Sequence, residues 1–474
     1  MASDREQLPH SSLAKEGKSS GEIRSAREPL LNGVHDSESY SVSATILPFL
    51  FPALGGFLFG YDIGATSSAT ISIQSPTLSG ISWYKLSSVE IGLLTSGSLY
   101  GALIGSVLAF NVADFLGRRR ELITSALLYL VGAIVTAIAP NFPILVLGRI
   151  VFGIGIGLAM HAAPMYIAET APTPIRGQLI SLKEFFIVLG IVTGYGIGSL
   201  LVDTVAGWRY MFAASSPVAV IMGLGMWWLP ASPRWLLLRA IQGKGDAQDL
   251  KDTAIRSLIQ LHGQAICDSA PQQVDEILEE LSCVGEEKEV TFGEMFQGKC
   301  LKALWIGAGL VLFQQITGQP SVLYYAASIL QSAGFSVASD ATRVSILLGF
   351  FKVISLFLLG SYYIFLDNTA AVAVVGLLLY VGCYQISFGP IGWLMIAEIF
   401  PLRLRGRGLS IAVLVNFGAN ALVTFAFSPL EELLGAGILF YIFCAIAVAS
   451  LVFIYLIVPE TKGLTLEEIE AKCL

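Results

Sequence analysis

Charge is missing from long stretches of this sequence, and that limits its folding options more than any other feature. Uncharged runs of roughly a membrane helix's length occupy 41–61, 91–113, 122–148, 150–168, 185–202, 210–233, 303–339, 368–397, 408–430 and 433–459. About 20 largely apolar residues are what an α-helix needs to cross a bilayer. Six such runs precede residue 234 and four follow residue 302. A further segment, 344–366, is apolar except for Lys352 in its middle. Of all residues 54% are hydrophobic and only 13% charged, against about 25% charged in soluble domains. An ordinary cytosolic enzyme and a disordered chain are thereby excluded. The net charge of −7 leaves no basic surface for nucleic acid.

The charges present are clustered. Residues 1–40 hold 12 of the 63 and residues 234–302 hold 20. This divides the chain into a polar tail (1–40), a six-helix bundle (41–233), a polar loop (234–302), a second bundle (303–459) and a tail (460–474). Within the loop, Val274, Ile277, Leu278 and Leu281 recur at helical spacing among acidic residues, as in a short amphipathic surface helix. It reads as a gate latch or as a solvated connector. Arg118, Arg119 and Arg120 follow the second run, and Arg176 and Lys183 the fourth. Lys and Arg concentrate in cytosolic loops, so both tails and loop 234–302 are expected in the cytosol. Two helical bundles joined in the middle are the pattern of a secondary transporter, and no phosphate-binding GxxxxGK[ST] loop is present. No HExxH or GxSxG motif suggests an enzyme. Cys267, Cys283, Cys300, Cys383, Cys444 and Cys473 lack metal-site or paired spacing and read as free thiols. No cofactor or metal is expected.

A few polar residues interrupt the apolar runs. A bare carboxylate in hydrocarbon costs at least about 2.5–3.5 kcal/mol, so Asp62, at the end of an apolar run, needs a proton or a cation. Arg149 is the natural cation. A carboxylate that alternates between a proton and an arginine couples protons to transport; a fixed structural ion pair is the other reading. Gln314 and Gln315 are amides in an uncharged run that must find hydrogen bonds. Sugar hydroxyls would match them, as would an interhelical clamp. Trp393, beside Gly392, suits stacking on a sugar or an interfacial aromatic belt. Gly153, Gly155 and Gly157 read as close helix packing. His161 reads as packed or hydrogen-bonded, not as a ligand.

Several motifs then converge: FGYDIG (59–64), ADFLGRRR (113–120), GRIVFGIGIG (148–157), PMYIAETAPTPIRG (164–177), PASPRWL (230–236), QQITGQPSVLYY (314–325), GPIGW (389–393), AEIFPLRLRGRG (397–408) and PETKG (459–463). Over roughly 44–465 the chain resembles the sugar porter family of the major facilitator superfamily. Within it, the likeness is to the plant xylose–proton symporter-like group, which includes vacuolar glucose carriers. The resemblance implies an all-α polytopic membrane protein with the major facilitator fold. It implies transport of a monosaccharide, glucose or xylose, coupled to protons by alternating access. It assigns proton coupling to Asp62 and Arg149, and sugar contact to Gln314, Gln315, Tyr324, Gln385, Trp393 and Asn416. It places a gate at Arg118, Arg119, Glu169, Arg176, Arg234, Glu398, Arg405 and Glu460, holding the two halves together. Pro320 stands where the family has a sugar-binding Asn. Glu184 stands where it has a Gln, and could bind sugar, bind a proton or form a surface pair. Ala231, Phe110 and Phe115 thin the charge of the gate.

Spacing exposes a gap. Asp62 to Glu169 spans 107 residues, whereas the matching interval from Gly318 to Glu398 spans 80, short by 27. The shortfall falls near 352–353, where spans eight and nine look fused without their basic loop. The second bundle is therefore shortened, with 10–11 spans in place of 12. Eleven spans would put Arg403, Arg405 and Arg407 on the wrong side by the positive-inside rule; ten would not. A deletion variant of a twelve-span carrier is expected, either still transporting or transport-dead and acting as a sugar sensor or regulatory subunit. Glu28-Pro29-Leu30-Leu31 is a loose acidic dileucine signal. Vacuolar membrane is the expected location, plasma membrane the second. The expected partners are a monosaccharide, protons and the bilayer, with no nucleic acid; oligomeric state is left open.

Overall fold

The computed structural model describes residues 42–171, 176–243, 245–262, 267, 269–285, 298–318, 323–325 and 405–457. Ile46–Leu474 make one compact unit and Met1–Thr45 another. The described elements are all helical. In the first half they are α1 (Val42–Gln74), α2 (Ser88–Leu116), α3 (Arg118–Ile138), α4 (Phe142–Thr170), α5 (Arg176–Leu201), α6 (Gly207–Ala213) and α7 (Ser216–Trp228). A polar layer follows: α8 (Pro233–Ile241), α9 (Ala247–His262) and α10 (Ala270–Gly285). From the second half come α11 (Gly298–Ile316), α12 (Arg405–Leu434) and α13 (Ala436–Ile457). Seven described stretches are long and apolar enough to cross a membrane: Pro48–Gln74, Ser88–Ala109, Arg118–Ile138, Phe142–Thr170, Gly207–Trp228, Ile411–Leu434 and Ala436–Ile454. Phe185–Leu201 and Leu301–Ile316 are shorter apolar helices. The chain is a multi-pass membrane protein.

The helices do not end where charge interrupts the runs. Runs 122–148 and 150–168 part at Arg149, yet Arg149 is buried inside α4. The real break is Ala139–Asn141: Asn141 caps α4 by accepting from the Ile144 amide at 3.1 Å, and Pro143 sits in the first turn. Asp62 likewise lies within α1, well short of Gln74, and not at the end of a helix. Both charges stay inside because they satisfy each other.

Small residues let the backbones touch. A Cβ on Gly153 of α4 would lie 2.0 Å from the Ser98 carbonyl oxygen of α2, so α2 and α4 meet with no side chain between them. The close-packing reading of 153–157 holds. Between α2 and α3, Gly117 turns the chain at φ +79° against the Trp235 ring, a conformation that favours glycine.

One apolar core crosses both halves. Leu99, Tyr129, Phe152 and Tyr166 of the first share it with Phe417, Phe427 and Phe440 of the second. The polar layer has its own core. Trp235, Leu236 and Leu237 of α8 pack with Ala254 and Leu258 of α9 and Val274 of α10, joined by Ile277, Leu278 and Leu281. The amphipathic stretch therefore buries its apolar face in a small helical assembly.

Candidate proton and sugar sites

Asp62 and Arg149 meet in the interior, 3% and 1% exposed. Arg149 Nη1 donates to Asp62 Oδ1. Ser98 on α2 completes the group. Its hydroxyl donates to Asp62 Oδ2 at 2.7 Å and accepts from Arg149 Nη2 at 3.1 Å. Arg149 Nε donates to the Leu94 carbonyl at 3.2 Å, and its guanidinium sits 5.3 Å from the Phe212 ring centre. Three helices thus hold one carboxylate and one cation with nearly every donor used. Such a pair is tolerated only with this degree of satisfaction, because desolvating each ion costs several kcal/mol. A small cavity adjoins it, lined by Tyr61, Asp62, Thr136, Arg149, Phe212 and Ser215.

Gln314 and Gln315 are both 4% exposed. Gln315 Nε2 donates to Asn416 Oδ1 across α11 and α12, while Gln315 Oε1 has no hydrogen-bond partner. A buried amide oxygen without a donor favours a ligand hydroxyl. Tyr324 is buried too, within electrostatic reach of Asp62 and Arg149. Its neighbours fasten the halves together. Tyr325 Oη lies 2.7 Å from Thr95 Oγ1 and donates to the Thr424 carbonyl at 3.3 Å. Tyr195 of α5 donates to the Leu323 carbonyl at 2.7 Å.

At the arginine end, the first-half gate residues Arg118 and Glu169 pair with each other. Arg118 Nε donates to Glu169 Oε1 at 3.1 Å, and Ser232 donates to Glu169 Oε2. Arg119 donates to the Met226 carbonyl at 3.2 Å and to that of Trp227. These bonds tie α3, α4, α7 and the start of α8 together within the first half. Both partners of each of these bonds lie in the first half. Arg234 sits in the first turn of α8. Arg176 and Glu184 belong to α5 and Arg405 opens α12; these three are placed by their backbone alone. Gln385, Trp393, Glu398 and Glu460, with segment 344–366, lie outside the described residues.

Ser98, Thr95, Tyr195, Tyr325 and Ser232 complete these sites and escaped the sequence reading. One signal was there: hydroxyls in otherwise apolar runs, which need partners in lipid.

Buried, paired charges inside a two-part helical membrane bundle define a secondary carrier. The chain belongs to the family described as "Sugar (and other) transporter", whose sequence model matches residues 49–364 and 345–472. It is similar to "D-xylose-proton symporter-like 2" of Arabidopsis thaliana, 70% identical over 503 aligned positions that cover 100% of both chains. "D-xylose-proton symporter-like 3, chloroplastic" of the same plant is 60% identical, over 92% of this chain and 84% of that one. Among solved structures, the partially occluded inward-open xylose transporter XylE from E. coli is similar at 28% identity and TM-score 0.72, covering 89% of this chain and 99% of that one. All 474 residues fall within the 503 positions, so 29 positions of the first alignment have no residue in this chain.

Proposed function

We propose that the protein carries a monosaccharide, xylose or glucose, across a membrane with a proton, and that it is not an enzyme. The carrying observation is the buried Asp62–Arg149–Ser98 group on α1, α4 and α2, beside Tyr324 of the second half. Asp62 takes the proton; Arg149 holds the carboxylate when the proton is absent. Gln314, Gln315 and Asn416 receive the sugar, with Gln385 and Trp393 completing the site and Glu184 beside it. The polar bridges at Thr95–Tyr325 and Tyr195–Leu323 close one end of the path. The cytosolic gate is at the other end, with Arg118, Arg119, Glu169, Arg176 and Arg234 meeting Glu398, Arg405 and Glu460. The names of the relatives, xylose–proton symporters among them, support this reading. The vacuolar membrane is the proposed location, with the plasma membrane second.

The test is uptake of radiolabelled xylose and glucose into vesicles holding this chain under an imposed pH gradient. Proton-driven uptake is expected, and Asp62→Asn should abolish its dependence on the gradient. Gradient-driven uptake that survives Asp62→Asn would overturn the assignment.

A second reading concerns the shortened second half. The family model matches twice over 345–364, and 29 positions of a close relative have no counterpart. Both agree with two spans compressed into one near 352–353. Domains 41–233 and 303–459 would then be unequal bundles. A chain that binds sugar at Gln314 and Gln315 but does not cycle would be a sensor or regulatory subunit. Sugar binding without uptake, from correctly inserted protein, would select it.

A further inference from the structure

One buried titratable pair takes no part in the coupling above. Glu121, in the first turn of α3, is 0% exposed. Its Oε1 lies 2.9 Å from His161 Nδ1 on α4, and its Oε2 has no hydrogen-bond partner. His161 keeps 18% of its side-chain surface, so a proton reaches the carboxylate by way of the imidazole.

The 2.9 Å approach of ring nitrogen to carboxylate oxygen requires a hydrogen between them. With the imidazole protonated the pair is neutral. With the imidazole neutral and Glu121 ionised, a negative charge remains in a site closed to water, which is costly. The surroundings argue the same way. On α3, Arg118 lies one turn before Glu121 and pairs with Glu169 of α4, while Arg119 is turned to the α7 carbonyls and Arg120 is exposed. Tyr129 donates to Gly55 and Tyr166 to Pro230. α7 has no ionisable residue, and α1 has none before Tyr61. α2 offers Glu90, Tyr100 and Asp114, α6 Arg209 and Tyr210, α8 Arg234 and Arg239, and α5 Arg176, Lys183, Glu184 and Tyr195. Arg118 is held by Glu169 and Arg119 by backbone carbonyls, and His161 is the cationic group shown in contact with Glu121. Arg149 lies twelve residues earlier on α4, about 18 Å along the axis, so this is not the Asp62 site.

We infer that Glu121 and His161 form a second proton-binding site, whose proton bridges α3 to α4 beside the Arg118–Glu169 pair. Loss of that proton loosens the first turn of α3 at the arginine end. The site stands on this geometry alone; an effect on transport rests also on the proposed carrier function.

The test uses the full chain in lipid nanodiscs with ring-¹⁵N histidine. The sequence has four histidines, so His161→Gln identifies the His161 signal by its loss. In wild type that signal should change with pH over the range in which the chain stays folded, and Glu121→Gln should displace its midpoint. Thermal unfolding gives a second measure. His161→Gln should lower Tm by about 2–4 °C at the acid end of the range and by less at the alkaline end. Sign follows from the bridge being present while the imidazole is charged. A His161 signal fixed in one protonation state across the range would overturn the proposal; if His161→Gln does not fold, replacing His10, His35 and His262 leaves that signal alone to be read. So would a midpoint unmoved by Glu121→Gln. Failed sugar uptake with an intact His161 titration would count against the carrier reading and leave the proton site standing.

Discussion

Ser98 donates to Asp62 and accepts from Arg149 with one hydroxyl, so the buried pair depends on it for orientation. Ser98→Ala leaves the buried Asp62 Oδ2 short of a donor. A loss of about 1–3 kcal/mol is expected, read as a lower Tm of the purified chain. Arg149→Ala should cost more, about 3–5 kcal/mol, because it strands the carboxylate. A smaller loss for Arg149→Ala than for Ser98→Ala would contradict the ion pair. Asp62 and Arg149 were legible in the sequence because each stands alone in an uncharged run. Gln315 and Asn416 were legible from motifs, although only the structure brings their amides together. Ser98 was not, being one hydroxyl among many whose neighbour is set by packing. Glu121 was hidden beside three arginines, where a surface position is the natural reading.

At the scale of elements, length and charge were enough to find the helices and not enough to cut them. Arg149 interrupts the uncharged runs without ending a helix, because its charge is met by Asp62, 87 positions earlier in the chain. The true boundary is a local one, Ala139-Pro140-Asn141, written in capping chemistry. The α2–α4 contact gives an element-scale prediction. Gly153→Ala puts a methyl where the Ser98 carbonyl stands, 2.0 Å from the new Cβ. The helices must separate, so Tm should fall by several degrees, since overpacking costs about 1–3 kcal/mol. Gly196→Ala, with open space around its Cβ, should change Tm little. Equal losses in the two variants would reject the backbone contact. Arg118 and Glu169 belong to the same half and brace α3 against α4, a pairing that their motifs alone do not distinguish from a bridge between halves.

For the whole molecule, a short segment adds polar bonds to the apolar core that joins the halves. Leu323, Tyr324 and Tyr325 are buried, and two of them bond to α2 and α5 of the first half. Tyr325→Phe removes the contact to Thr95 and the bond to Thr424. The closed arrangement should weaken, read as faster reaction of a thiol probe placed near residue 95. An unchanged rate would show that the hydroxyl does not hold the halves. The proposed shortening of the second half rests on an internal interval 27 residues short, a length similar to the 29 unmatched positions of a relative. Two related bundles carry their own ruler, and a missing piece shows as unequal spacing.

The bridge at Thr95, Tyr325, Tyr195 and Leu323 is made of hydroxyls and carbonyls, without a single ion. Opening it moves no charge through the bilayer, whereas each elementary charge crossing the field is worth about 2.3 kcal/mol per 100 mV. Membrane voltage therefore has no handle on this closure. On the proposed proton role of Asp62, electrical work enters with the proton, and sugar uptake should lose its voltage dependence when that carboxylate is replaced.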